Sequence, residues 1–211
     1  MRSIFVLLMV IFAAVLFFCV NVSDGATFPF QIFSTNGSYY NNPGVNLWVE
    51  VTNGVGIVDF IFHNDSTVNC SIARIYFDDG SLLGIDEVFN CPGTDFSKIF
   101  PGPGNLPNGE LLEPDFDANR EFSIGAENPP PENGVNNIPA GEWVKIHFDL
   151  INGGTLEDVI GELLTGELRV GLHVISFPDG FSNSAILTPE PTTIALLGLG
   201  ALLLLRRRRR V

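Results

Sequence analysis

Oxygen-bearing side chains recur at alternate positions in Asp115-Phe116-Asp117-Ala118-Asn119, with Glu113 and Glu121 alongside, a ligand type and spacing that suit calcium. Arg120 stands where an EF-hand loop needs glycine, and Ala126 takes the twelfth position in place of glutamate, so an EF-hand is excluded. What remains is a looser calcium site at Asp115, Asp117 and Asn119, weighed against an acidic turn that is merely solvated. No other cofactor is expected. Cys70 and Cys91 form the next candidate pair, lying symmetrically about Gly80-Ser81 in a segment that reads strand, Asp78-Asp79-Gly80-Ser81 turn, strand. A hairpin there would bring the thiols face to face, and a disulfide closing that loop would stabilise by roughly 3 kcal/mol. Two cysteines alone do not make a metal site.

Signals for catalysis are weak. The chain has no Gly-x-Ser-x-Gly, and His63, His147 and His173 each fall inside a strand pattern rather than at the spacing of a helical zinc site. Neighbouring carboxylates, Asp78 with Asp79 and Asp86 with Glu87, offer the residue type of a glycoside hydrolase. In so acidic a chain such neighbours arise by chance. The expectation is therefore a protein that is not an enzyme, with a secreted carbohydrate-active enzyme as the alternative.

The elements that would carry these residues are strands. Residues 142–150 alternate, with Val144, Ile146, Phe148 and Leu150 on one face and Trp143, Lys145, His147 and Asp149 on the other, the pattern of a strand with one buried side. Period-two runs recur at 46–53, 56–64, 71–77, 82–89, 121–127 and 168–177, separated by Gly, Pro and Asn clusters. This predicts an all-β fold, an antiparallel β-sandwich of about seven to nine strands. One short helix interrupts it. Thr155 reads as its N-cap with Asp158 three places on, Leu156, Val159, Ile160, Leu163 and Leu164 form its stripe, and Gly166 ends it. Five prolines between 90 and 119 predict long surface loops, and Pro129-Pro130-Pro131 a stiff extended linker.

Both ends read as addresses. Arg2 precedes an apolar stretch from Ile4 to Val20, the order of a secretory signal peptide, expected to form a helix and to span 1–25, with Cys19 leaving alongside it. At the other end, Pro189-Glu190-Pro191 is followed by an apolar run that includes Ile194 and Leu205, and then by Arg206, Arg207, Arg208, Arg209 and Arg210. Such a block of charge stays on the cytoplasmic side of a membrane. The fourteen residues from Thr192 to Leu205 would span only about 21 Å as a helix, against a hydrocarbon core near 30 Å, which suits a transient anchor better than a permanent one.

The three parts of this tail resemble the PEP-CTERM sorting signal of exported bacterial proteins. The resemblance covers 189–211 and implies recognition by an exosortase, a membrane protease expected to cut near Pro189, Glu190 and Pro191. The chain is then its substrate. The region from Gly141 through the helix to Gly180 also resembles, more weakly, the C-terminal half of PEP-CTERM cargo proteins, which implies a shared β-sandwich but no chemistry.

The implied life history is export, brief retention in the inner membrane by the C-terminal helix, and release to the surface or the extracellular space. The exported body, 26–188, keeps only five basic side chains against 22 acidic ones. That surface repels nucleic acid and anionic lipid. The expected partners are the export machinery, the exosortase and exopolysaccharide or biofilm matrix, with Trp143 available to stack on a sugar ring. A permanently tail-anchored surface protein is the remaining alternative.

Overall fold

The computed structural model describes residues 25–34, 39, 41–54, 56–78, 82–98, 104–119, 121–127, 130–151 and 153–188. Their strands are β1 (Ala26–Ile32), β2 (Leu47–Asn53), β3 (Ile57–Asn64), β4 (Ser71–Asp78), β5 (Leu82–Asn90), β6 (Phe96–Lys98), β7 (Ile124–Ala126), β8 (Val135–Asn136), β9 (Trp143–Leu150), β10 (Arg169–Ile175) and β11 (Asn183–Leu187). Two helices join them, α1 (Pro130–Asn133) and α2 (Leu156–Thr165). Alternation sets the faces: in β3, Val58, Phe60 and Phe62 are buried while Asp59, Ile61 and His63 point outward. A one-residue slip would exchange the two sets, so the apolar pattern also fixes register.

Every strand pairing is antiparallel, and the strands follow one path, β5-β9-β3-β2-β1-β11-β10-β4-β7-β6, with β8 beside β4. β1 joins the two halves of this path. Its first half, Ala26 to Pro29, pairs with β2, and its second, Phe30 to Ile32, pairs with β11. The far ends of the path meet at β5 and β6, where the Asn90 amide donates to the Phe96 carbonyl (3.0 Å) and accepts from the Phe96 N–H (2.7 Å). One side chain thus supplies the donor and acceptor that a ladder would have supplied. The expected antiparallel all-β fold is present as a nearly closed, barrel-like sheet whose two halves share β1.

The interior is filled by aromatic rings from both halves. Phe148 meets Phe77 at 4.7 Å and Phe60 and Phe122 at 5.5 Å, all edge-to-face, the arrangement that the ring quadrupole favours. α2 adds Leu156, Val159, Ile160 and Leu163 to the same core. It starts where the sequence predicts: the Thr155 hydroxyl accepts from the Asp158 N–H, and the Asp158 carboxylate accepts from the Thr155 N–H. Gly166 ends it with φ of 80°, a left-handed conformation that costs glycine little.

Three expectations need correction. β4 and β5 do not form a hairpin: β4 pairs with β10, β7 and β8, whereas β5 pairs with β9. Cys70 and Cys91 are accordingly free, buried thiols, not a disulfide. Cys70 Sγ lies 3.7 Å from the Asn64 amide, and Cys91 Sγ accepts from the Trp143 N–H at 3.1 Å. Burial raises the Cys70 thiol pKa, which keeps it protonated and unreactive. Next, Pro130 opens α1 at a first-turn position that tolerates a missing N–H, so the proline triplet does not run on as an extended linker.

The proline-rich middle is loop, as expected, and it is packed against the sheet. Residues 104–118 form a cover seated on the outer side of β4 and β10, where Leu106, Phe116 and Ala118 bury themselves against Tyr76. Gly171 makes room for it, since a Cβ there would stand 2.6 Å from a Leu106 methyl. Leu106 is fully buried and cannot simply swing away. Gly171→Ala is expected to cost about 1–3 kcal/mol by overpacking. In chemical denaturation, Leu106→Ala added to Gly171→Ala should cost less than the sum of the two single changes.

Candidate functional site

The outward side of β2, β3 and β9 carries a row of rings set by register. Trp48 is paired with His63, and His63 with Trp143, so successive strands place all three side by side. Trp48 and His63 stack at 4.0 Å with 12° between their planes. The turn after β3 braces the indole: Asp65 donates its N–H to the Asn46 carbonyl, and its carboxylate accepts from Trp48 Nε1 at 2.8 Å. Each ring is half-buried.

A polar cluster lies further along the same face. Asp59 takes a salt bridge from Lys145 at 3.6 Å and is bonded to His147 Nδ1. Phe89 closes the cluster, with Lys145 Nζ 4.5 Å above its ring and His147 meeting it edge-on at 4.5 Å. The His147 imidazole is thus bonded to Asp59 and packed against the Phe89 ring.

A cleft of about 340 Å³ opens beside Trp48, lined also by Thr27, Phe28, Pro29 and Asn46. A second recess of about 300 Å³, lined by Gly25, Ala26, Thr27 and Glu50, shares Thr27 with it. The cleft lies where β1 leaves β2 for β11, just after Pro29. Sequence reading singled out Trp143, which sits in the row but does not line this cleft. It overlooked Trp48, whose phase opposite to the buried Leu47 and Val49 was the available signal.

Desolvation by burial lowers the His63 pKa, partly offset by Asp65 and Glu50, and burial with Arg74 nearby lowers that of His173. The unfolded chain then binds protons more readily than the folded one. This contribution to stability is complete above about pH 6.5 and is lost as pH falls from there through the lower folded-state values. Denaturation midpoints should fall between pH 7.5 and 5.5, and a His63→Gln/His173→Gln variant should show a flatter slope over that interval.

The acidic loop is organised by an arginine. Arg169 donates to the Pro114 and Asp115 carbonyls, each at 2.6 Å, binds the Asp78 carboxylate, and lies 5.3 Å from the Phe116 ring centre. Asp78 also accepts from the Asp117 N–H, and the Asn119 amide oxygen accepts from the Glu121 N–H. These contacts fasten the loop through the backbone of Pro114, Asp115 and Asp117 and the side-chain oxygen of Asn119. Among the described residues, no group of three or more His, Cys, Asp or Glu side chains is arranged to hold a metal. Of the carboxylates considered for hydrolysis, Asp78 is engaged by Arg169, Glu87 is exposed, and Asp79 and the Asp86 side chain lie outside the described residues.

The signal segment to residue 24, with Cys19, and the tail 189–211, with Pro189, Glu190, Pro191 and Arg206 to Arg210, also lie outside the described residues. No helix among the described residues is long and apolar enough to cross a membrane. The body runs up to the tail: Thr188, one residue past β11, donates its N–H to the Pro29 carbonyl at 3.0 Å.

A family model of the PEP-CTERM protein-sorting motif matches residues 187–210. No curated protein and no solved structure matches the chain. The chain carries at its C-terminus a sorting signal, which implies export with transient processing at the membrane. It is a PEP-CTERM motif protein, targeted to an exosortase.

Proposed function

We propose that this chain is exosortase cargo whose body works outside the inner membrane, at the cell surface or in the extracellular matrix, as a structural or adhesive component in contact with exopolysaccharide. One observation carries the reading. The last described strand and its anchoring hydrogen bond end at Thr188, directly before Pro189, so a cut within Pro189-Glu190-Pro191 would release a body with every described strand in place. The body is read as non-catalytic, since Asp78 is occupied by Arg169 and His147 packs on Phe89.

Expression of the full chain in an exosortase-positive host and in its deletion mutant tests this. The expected product has lost both ends, by intact mass, and lies outside the cell in the first host only. An intact, membrane-bound C-terminus in both hosts would replace sorted cargo with a permanent tail anchor.

A further inference from the structure

We propose that the cleft between β1 and Trp48 binds a linear, neutral polysaccharide, with sugar residues seated in series along the β1–β2 face. This rests on the reading of the body as a matrix component and assigns that contact to Trp48 in place of Trp143. His63 covers the β3 side of the indole, leaving its β1 side to border the cleft with Pro29. An aromatic face beside a proline ring suits the C–H surface of a pyranose. Thr27, Asn46 and Glu50 place a hydroxyl, an amide and a carboxylate along the same line, the groups that bond sugar hydroxyls. Asp65 already holds the indole nitrogen, so the ring is fixed before a ligand arrives, and less ordering entropy is lost on binding.

Size and charge narrow the ligand further. Each recess is near the lower end of small-ligand site volumes, room for about one sugar, and their shared wall at Thr27 places the two in sequence. No Lys or Arg lines either recess, and Glu50 lines the second, so an anionic polymer would be repelled. Trp143 stands two strands from Trp48, about 10 Å away at ordinary strand spacing, too far to share one ring.

Affinity electrophoresis of the exported protein, through gels containing galactomannan, mixed-linkage β-glucan or hydroxyethylcellulose, with alginate as the anionic control, tests the proposal. At least one neutral polymer should retard the wild type and alginate should not. Trp48→Ala should weaken binding at least about tenfold, equivalent to 1.4 kcal/mol, while Trp143→Ala should stay within about twofold. A Trp143→Phe variant leaves Trp48 as the sole indole, and its emission should shift on adding the retained polymer, a readout that does not require Trp48→Ala to fold. Retardation by alginate alone, equal retardation of wild type and Trp48→Ala, or an unmoved Trp48 emission would each overturn the cleft. Absence of all retardation from a correctly processed, released protein would also overturn it while leaving the sorting result intact.

Discussion

Phe148→Ala is expected to be among the most damaging single changes in the body, lowering stability by about 3–5 kcal/mol. The ring is fully buried and meets Phe60, Phe77 and Phe122 edge-on. Those partners come from β3, from β4 and from the turn before β7, which belong to both halves of the sheet path. Truncation would remove the transfer free energy of the ring and leave a cavity that a nearly closed sheet has little freedom to collapse. Total stabilities are about 5–15 kcal/mol, so roughly a fifth of the margin or more would go. Urea unfolding followed by tryptophan emission reads the loss. Phe148→Leu should recover most of it, and a loss below about 1 kcal/mol for Phe148→Ala would mean that the core is not packed around this ring.

The second large effect is expected at Arg169. Arg169→Met keeps much of the side-chain length but removes the donors to Pro114 and Asp115 and the cation beside Asp78. Side-chain exposures of 18% for Arg169 and 11% for Asp78 leave the pair some contact with water, so the loss is set at about 2–4 kcal/mol, below that of a fully buried pair. Part of it is the uncompensated Asp78 carboxylate. Arg169→Met/Asp78→Asn should therefore be more stable than Arg169→Met alone. Because the same guanidinium fastens 114–116 to β10, Arg169→Met should also expose the 104–118 cover to limited proteolysis before the rest of the body. Purely additive effects in the double variant would show that the two side chains do not act as a pair.

Strands with clean alternation were legible from the chain. The runs at 46–53, 56–64, 82–89, 142–150 and 168–177 match β2, β3, β5, β9 and β10 to within a few residues, because one buried face leaves a period-two trace. β1 was not predicted, since Pro29 breaks the appearance of a strand, although Phe28, Phe30 and Ile32 do alternate. β11 was missed for another reason: Asn183, Ser184 and Ala185 are buried at the sheet seam without apolar bulk. With these two hidden, the join that makes one path of ten strands was hidden too. Local turn chemistry at 78–81 predicted a hairpin, but strand pairing is decided by distant partners, and the cysteine pair fell with it. The role of Arg169 in the acidic loop left no local trace, because the side chain lies some fifty residues away in the chain from the carbonyls that it holds.

The place of β1 and β11 bears on the order of events during export. Residue 26 crosses the membrane early and residue 187 late, yet these two strands lie side by side in the middle of the path. A sheet that depends on such a distant pairing closes slowly, and here it cannot close until nearly the whole body has been translocated. Thr188 meets β1 at Pro29, only four residues from Gly25, so the chain enters and leaves the fold within about 13 Å along one strand. Folding and sorting thus share one junction: the residues that complete the sheet directly precede the Pro-Glu-Pro of the sorting motif.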